Sequence, residues 1–290
     1  RGHRMTDFRD TVIVSDVDGT FLGRKSEIVE RNIRAVDWLV GRGGGFALST
    51  GRMPCDIGAV IENIRSVANL PCICCNGTLL ADLGTGMIIS EYPLEHDKGG
   101  ELVRYISEHW PRTGIRISTP DGFVTSESML TEPRLARDIS GVGRGRTTVC
   151  DFPEWDRFKW YKFVVRGEPA LLDEVRKDVE KRFPEHAVYS KSGPAIFEVQ
   201  TYGVTKATML ADLRQIAGEK NPGGDVRIAC CGDYDNDIAM LKAADLSVCP
   251  ANALPSVREI CDLCLCECSK GLIADLVEHL AAEKGISVAF

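Results

Sequence analysis

Two short apolar runs in this chain break off at knots of carboxylates. Thr11-Val-Ile-Val-Ser is followed by Asp16-Val-Asp18-Gly19-Thr20, and Ile228-Ala-Cys-Cys is followed by Gly232-Asp233-Tyr-Asp235-Asn236-Asp237. Acids two residues apart at the end of an apolar strand are costly unless a cation or a reaction uses them. The carboxyl edge of an open α/β sheet is where loops face a ligand crevice. The two knots together therefore predict a parallel sheet with both acidic clusters at the same edge. Taken one at a time, either cluster reads as turn and helix-cap aspartates. Their recurrence after two separate strands favours a built site.

The rest of the chain supports that sheet. Residues Ile28 to Val40 carry apolar side chains at helical spacing, Gly41-Arg-Gly-Gly-Gly45 stops that helix, and Phe46-Ala-Leu-Ser-Thr50 reads as a second strand. Ile57 to Ile64 reads as a helix and Pro71 to Cys75 as a third strand. After residue 203 the alternation resumes: helix Lys206 to Ile216, strand Val226 to Cys231, helix Asn236 to Ala244, strand Leu246 to Cys249, helix Leu254 to Ile260, strand Leu263 to Cys266 and helix Leu272 to Lys284. The expected fold is α/β, a doubly wound, mainly parallel sheet formed by residues 1–82 and 198–290. Residues 83–197 read differently. Helix Glu101 to Trp110 leads to strands Ile115 to Ser118 and Phe123 to Ser126 around Asp121-Gly122, and helix Leu171 to Phe183 leads to strands Ala187 to Tyr189 and Ile196 to Gln200 around Ser192-Gly193. Two such helix-hairpin units predict a separate, inserted α+β domain with helices on one face of an antiparallel sheet.

Composition narrows the function. The insert carries 17 Lys and Arg against 18 Asp and Glu, leaving 18 against 24 outside it, so the acidic excess belongs to the α/β part, where it suits a cation. A net charge of −7 with no long basic block argues against nucleic acid as a partner. No apolar stretch approaches the roughly 20 residues of a membrane span, and the start lacks a signal-like apolar segment, with Met5 a candidate natural start. A cytoplasmic protein is expected. The twelve cysteines include adjacent pairs inside apolar runs (Cys74-Cys75, Cys230-Cys231), which suits reduced thiols acting as small hydrophobes. Cys261, Cys264, Cys266 and Cys268 contain a C-x-x-C step, but alternation along that segment places three of them in a row, a poor start for a tetrahedral zinc cage.

Two further elements are expected at the acidic edge. Ser49-Thr50-Gly51-Arg52 ends the second strand and offers a hydroxyl and backbone N–H groups to a phosphate. Lys206 opens a helix and can neutralise phosphoryl charge. Oxygen ligands without His or Cys suit a hard cation, Mg²⁺ in particular.

With these four motifs in order, the chain resembles the haloacid dehalogenase superfamily of aspartate-nucleophile phosphatases, and within it the Cof-type, subclass IIB members. D-x-D-G-T at 16–20, S-T-G-R at 49–52, the lysine at 206 and G-D-x-x-N-D at 232–237 carry the resemblance. Asn76-Gly77, Phe197-Glu-Val199 and Asn252-Ala253 extend it, and the insert falls where that family has its α/β cap. The resemblance implies that Asp16 is the nucleophile and forms an aspartyl phosphate, and that Asp18 is general acid and then base. It implies Mg²⁺ held by Asp16, the backbone carbonyl of Asp18 and Asp233, with Asp237 acting through water or orienting its neighbours. Thr50, Gly51, Arg52, Asn76, Lys206 and Asn236 would serve the phosphate or substrate. The acid at position 18 favours phosphate chemistry over dehalogenation, since a halide leaving group needs no proton. The implied substrate is a small phosphorylated metabolite, a sugar phosphate first, with phosphotransfer to a sugar hydroxyl, as in a phosphomutase, as the alternative. In the insert, Trp155, Trp160 and Tyr161 read as core, and the basic loop Gly141 to Arg146 as a solvated segment within reach of the crevice.

Overall fold

The structure is a computed structural model that describes residues 8–60, 67–141, 145–221 and 224–290. Met5, the end of the expected 57–64 helix, and Val142, Gly143 and Arg144 of the basic loop lie outside the described residues. In chain order the elements are β1 (Thr11–Ser15), α1 (Glu30–Val40), β2 (Gly45–Leu48), α2 (Pro54–Val60), β3 (Cys72–Cys74), β4 (Leu79–Ala81), β5 (Ile88–Glu91), α3 (His96–His109), β6 (Gly114–Thr119), β7 (Gly122–Thr125), α4 (Pro133–Ser140), β8 (Thr147–Val149), β9 (Lys162–Arg166), α5 (Pro169–Arg182), β10 (Ala187–Gly193), β11 (Ile196–Thr201), α6 (Leu210–Glu219), β12 (Arg227–Cys231), α7 (Ile238–Ala243), β13 (Leu246–Pro250), α8 (Pro255–Arg258), β14 (Leu263–Leu265) and α9 (Leu272–Glu283).

Five parallel strands form the main sheet in the order β14-β13-β12-β1-β2. β1, β2 and β13 are buried throughout and β12 beyond Arg227, while the edge strand β14 is partly exposed; the buried side chains alternate between two cores. Ile13, Phe46, Ala229 and Cys231 pack with α1 and α9, whereas Val12, Val14, Ile228 and Cys230 pack with α6 and α7. This alternation separates Cys230 from Cys231, and all twelve cysteines are free thiols. The order β12-β1-β2 sets three carboxyl ends side by side, so Asp233, Asp16 and Thr50 issue from neighbouring strands.

The expected third strand departs from its predicted place. β3 meets the end of β2 through a single parallel bridge, Ser49 to Ile73, and otherwise belongs to an antiparallel sheet in the order β3-β4-β5. The short β4 and β5 capture its ladder, a long-range pairing that its apolar run does not announce. β5 thereby pairs with β4 across residue 83, and β11 runs through residue 198.

The insert forms a six-stranded sheet in the order β10-β11-β9-β6-β7-β8. Its two helix-hairpin units, α3-β6-β7 and α5-β10-β11, flank β9, and the second hairpin turns at Pro194-Ala195, two residues later than its sequence suggests. One face is apolar: Ile115, Ile117, Phe163, Val165, Phe197 and Val199 pack with Leu102 and Ile106 of α3 and Leu172 and Val175 of α5. Trp155, Trp160 and Tyr161 are fully buried. The other face carries Arg116, Ser118, Lys162, Val164, Arg166, Ile196 and Glu198, and these residues line one cleft together with Asp16 and Asp18 of the main sheet's edge.

Candidate active site

The cleft has a volume of about 370 Å³. From the main sheet come Asp16, Asp18, Thr50, Gly51, Arg52, Asp233 and Asn236, all expected site residues. Lys206 and Asn76 line an adjoining pocket that shares Asn236 with this one. The Lys206 ammonium is fully buried and donates to Asp16 Oδ1 and Asp237 Oδ1, each at 2.6 Å. It fixes one oxygen of the nucleophile candidate. Asn76 donates to Glu198 Oε2 at 2.7 Å and accepts from Asn236 at 3.1 Å, which makes it a tie between the two sides of the cleft.

Local backbone chemistry explains why these side chains converge. Asp16 N–H donates to Cys231 O at 2.9 Å, continuing the β1-β12 ladder one step beyond the strand. Gly19 has φ +85°, and a Cβ there would lie 2.5 Å from Asp233 Oδ2, so the turn after β1 closes against that carboxylate only with glycine. Thr20 donates to Asp233 Oδ1 at 3.0 Å. Asn252 donates to Gly19 O at 3.0 Å and accepts from Cys268 N–H at 2.9 Å, bracing the same turn from the loop after β13. Gly77, at φ +96°, lets the chain pass so close to the Lys206 segment that a Cβ would sit 1.9 Å from Thr205 O.

Asp16, Asp233 and Asp237 each present an oxygen within 4.8 Å of the others. Burial, together with the charges of Asp237 and Asp233, pushes the Asp16 carboxyl well above the usual carboxylate range against the pull of Lys206. Asp233 is pushed up to about 7, by burial first and by Asp237 second. Burial opposes the charge on Lys206, but Asp16 and Asp237 outweigh it and raise its pKa. Fully ionised, three carboxylates against one ammonium leave two negative charges in excess. An all-oxygen set with that excess fits a hard divalent cation. Asp237 is already committed, since its Oδ2 accepts the backbone N–H groups of Asp233 at 2.9 Å and Tyr234 at 3.1 Å. It holds the loop in shape and contributes charge. Among the described residues no thiol of the Cys261 to Cys268 run joins a group of close ligand atoms.

Asp18 lines the same cleft and has its own partner. Arg52 grips it with two hydrogen bonds of 2.8 Å, and its side chain is 47% exposed. Asp18 therefore sits at the rim paired with an arginine. Thr50 Oγ1 accepts from Arg52 N–H at 3.1 Å, which orders the turn after β2.

Sequence reasoning missed the cleft's other wall. Lys162 donates to Glu198 deep in the cleft, and although burial opposes its ionisation, Lys162, Asn76 and Ser192 hold Glu198 below its usual range. Arg166 forks onto Asp138 with two hydrogen bonds of 2.6 Å. Arg146, in the described part of the basic loop, donates to Cys55 O and lies 3.7 Å from Asp56, so it fastens the insert onto the main sheet's α2. The available signal was strand alternation: Ile115-Arg-Ile-Ser118 and Lys162-Phe-Val-Val-Arg166 place polar side chains opposite the apolar face.

Residues 13–274 match the haloacid dehalogenase-like hydrolase family. The chain belongs to this family. As a haloacid dehalogenase-like hydrolase it is an enzyme, with the core-plus-insert fold of its relatives. It is 27% identical over 254 residues to the 5-amino-6-(5-phospho-D-ribitylamino)uracil phosphatase YcsE of Bacillus subtilis, covering 87% of this chain and 88% of that one. It is 22% identical over 279 residues to the pyridoxal phosphate phosphatase YbhA of Escherichia coli, covering 93% and 98%. Its fold is similar to that of BT4131, a subclass IIB sugar phosphatase, with a TM-score of 0.78, 17% identity, and coverage of 93% of this chain and 99% of that one. No helix among the described residues is long and apolar enough to cross a membrane.

Proposed function

We propose that this hydrolase is a Mg²⁺-dependent phosphomonoesterase that acts on a small phosphorylated metabolite, a sugar phosphate first, with residues 83–197 as a cap over the site. The observation that carries this reading is Asp16 on the cleft lining, with Oδ1 fixed by buried Lys206. Its other carboxylate oxygen makes no hydrogen bond among the described residues and is available to attack phosphorus. The names of the relatives, which act on a phosphoribityl compound and on pyridoxal phosphate, support the substrate class.

In this mechanism Asp16 displaces the alkoxide and becomes an aspartyl phosphate. Asp18 gives the alkoxide its proton and later takes one from the water that hydrolyses the intermediate. The Arg52 grip on Asp18 opens when the substrate's phosphate offers Arg52 a second anion, and Asp18 is then at liberty to carry the proton. Thr50 and the Gly51 N–H, at the end of β2, together with Asn236, take phosphoryl oxygens. Asp16, the Asp18 carbonyl and Asp233 would hold Mg²⁺, with Asp237 orienting them. When bound, the ion supplies positive charge against the repulsion between carboxylate and phosphate dianion.

Phosphate release from p-nitrophenyl phosphate and a panel of sugar phosphates, with and without Mg²⁺, tests this reading. Turnover that needs Mg²⁺ and vanishes in Asp16→Asn is expected. Turnover that persists in Asp16→Asn would remove Asp16 from the reaction.

A further inference from the structure

The cleft wall opposite Asp16 holds a cation whose role the proposed chemistry leaves unused. Arg116 lies on β6, on the same sheet face as Ser118 and beside Val164 of β9, and lines the cleft. Every other cationic side chain of the lining has a carboxylate partner: Arg52 holds Asp18, Lys162 holds Glu198 and Arg166 holds Asp138. Arg116 makes no hydrogen bond or ion pair among the described residues, and its Nε is buried without a partner. Its guanidinium lies over the Phe123 ring at 4.1 Å, which fixes its plane.

From this geometry we propose that the cap sheet carries a second anion subsite built on Arg116. The preferred substrate would then bear a carboxylate or a second phosphate remote from the scissile phosphate. This inference rests on the phosphatase reading and narrows its substrate class. A guanidinium whose Nε is buried without a hydrogen-bond partner is unfavourable, and a planar oxyanion is the group its fork matches. Burial lowers the Arg116 pKa against the pull of Asp138 and Asp56, although arginine stays protonated. Asp138, Asp56 and Glu198 are the acids that face it. Asp138 is held in the Arg166 fork and Glu198 by Lys162, while Asp56, whose carboxyl feels Arg116 ahead of its other cationic neighbours, comes within ion-pair distance of Arg146 at 3.7 Å and makes no hydrogen bond to Arg116. Ser118 lines the same cleft and adds a hydroxyl donor. A second phosphate and a carboxylate share this recognition chemistry, and the substrate panel separates them.

The test compares kcat/KM for a neutral sugar monophosphate (glucose 6-phosphate), a phosphorylated acid (6-phosphogluconate) and a bisphosphate (fructose 1,6-bisphosphate), in the parent and in Arg116→Met and Arg116→Lys. Methionine keeps the packing on Phe123, and lysine keeps the charge without the fork. The parent is expected to favour one of the two substrates that carry a second anionic group. The ratio of that class to glucose 6-phosphate should fall about 10- to 100-fold in Arg116→Met, the range of a lost charge-assisted hydrogen bond, and be partly kept in Arg116→Lys. No preference for a second anion in the parent, or an equal loss on all three substrates, would overturn the subsite. Calorimetric titration of 6-phosphogluconate and fructose 1,6-bisphosphate into Asp16→Asn protein, with glucose 6-phosphate as reference, reads the subsite without turnover. If p-nitrophenyl phosphate is not hydrolysed, the phosphatase reading fails. Calorimetry then decides the subsite by itself: tighter binding of the two ligands with a second anionic group that is lost on adding Arg116→Met supports it, and equal binding of all three overturns it.

Discussion

Replacing Lys206 with Met tests whether charge or packing holds the acidic edge together. The side chain is fully buried with two carboxylates at 2.6 Å, and methionine fills similar space without the ammonium. Breaking a buried ion pair by removing one partner costs about 3–5 kcal/mol, because the remaining charge is left uncompensated. Here the variant can relieve that charge by binding about one more proton than the parent, which makes the cost change by about 1.36 kcal/mol per pH unit. A loss of about 4 kcal/mol at pH 8 should therefore shrink to about 1–2 kcal/mol at pH 6. Urea unfolding of metal-free parent and variant at both pH values measures the two losses. A loss that is the same at both would show that Lys206 acts through packing. A loss below about 1 kcal/mol at pH 8 would show that the carboxylates do not depend on it.

Two further outcomes follow from the same edge. Gly77→Ala forces a Cβ to within 1.9 Å of Thr205 O at φ +96°, so urea unfolding should show a loss of about 2–5 kcal/mol from backbone strain and overpacking, and a loss within about 0.5 kcal/mol would refute the close approach. Asp16 and Asp233 have pKa values raised above those of the unfolded chain, so the fold binds more protons than the unfolded state between about pH 4 and 7. Metal-free stability should fall as pH rises through that window, with Asp233 titrating near 7, and Mg²⁺ should raise Tm more at pH 8 than at pH 5.5. Equal Mg²⁺ shifts at the two pH values would remove these carboxylates from the ion's binding set.

Much of the main sheet was legible because each of its strands writes its own signal. An apolar run such as Val12 to Ser15 ends at Asp16, and the helices that cover it carry 3.6-residue patterns. The fate of Cys72 to Cys74 was not legible, because a three-residue apolar strand pairs with whichever neighbour the fold brings up, and here that is β4. The same limit applies to Lys206, whose partners Asp16 and Asp237 are set by the fold and not by its place at the start of a predicted helix.

The sequence by itself determined the class of chemistry: acids at the ends of two strands, a hydroxyl at the end of another and a lysine in order along the chain admit few uses. Only the tertiary structure decided which charges remain unmatched. Lys162, Arg166 and Arg116 are equivalent as letters on alternating strands. Their partners, Glu198 and Asp138, lie 36 and 28 residues away in the chain, and Arg116 acquires none among the described residues. Pairing between side chains is a property of distances in space, and those distances are set by sheet order and by the docking of the cap face onto the acidic edge.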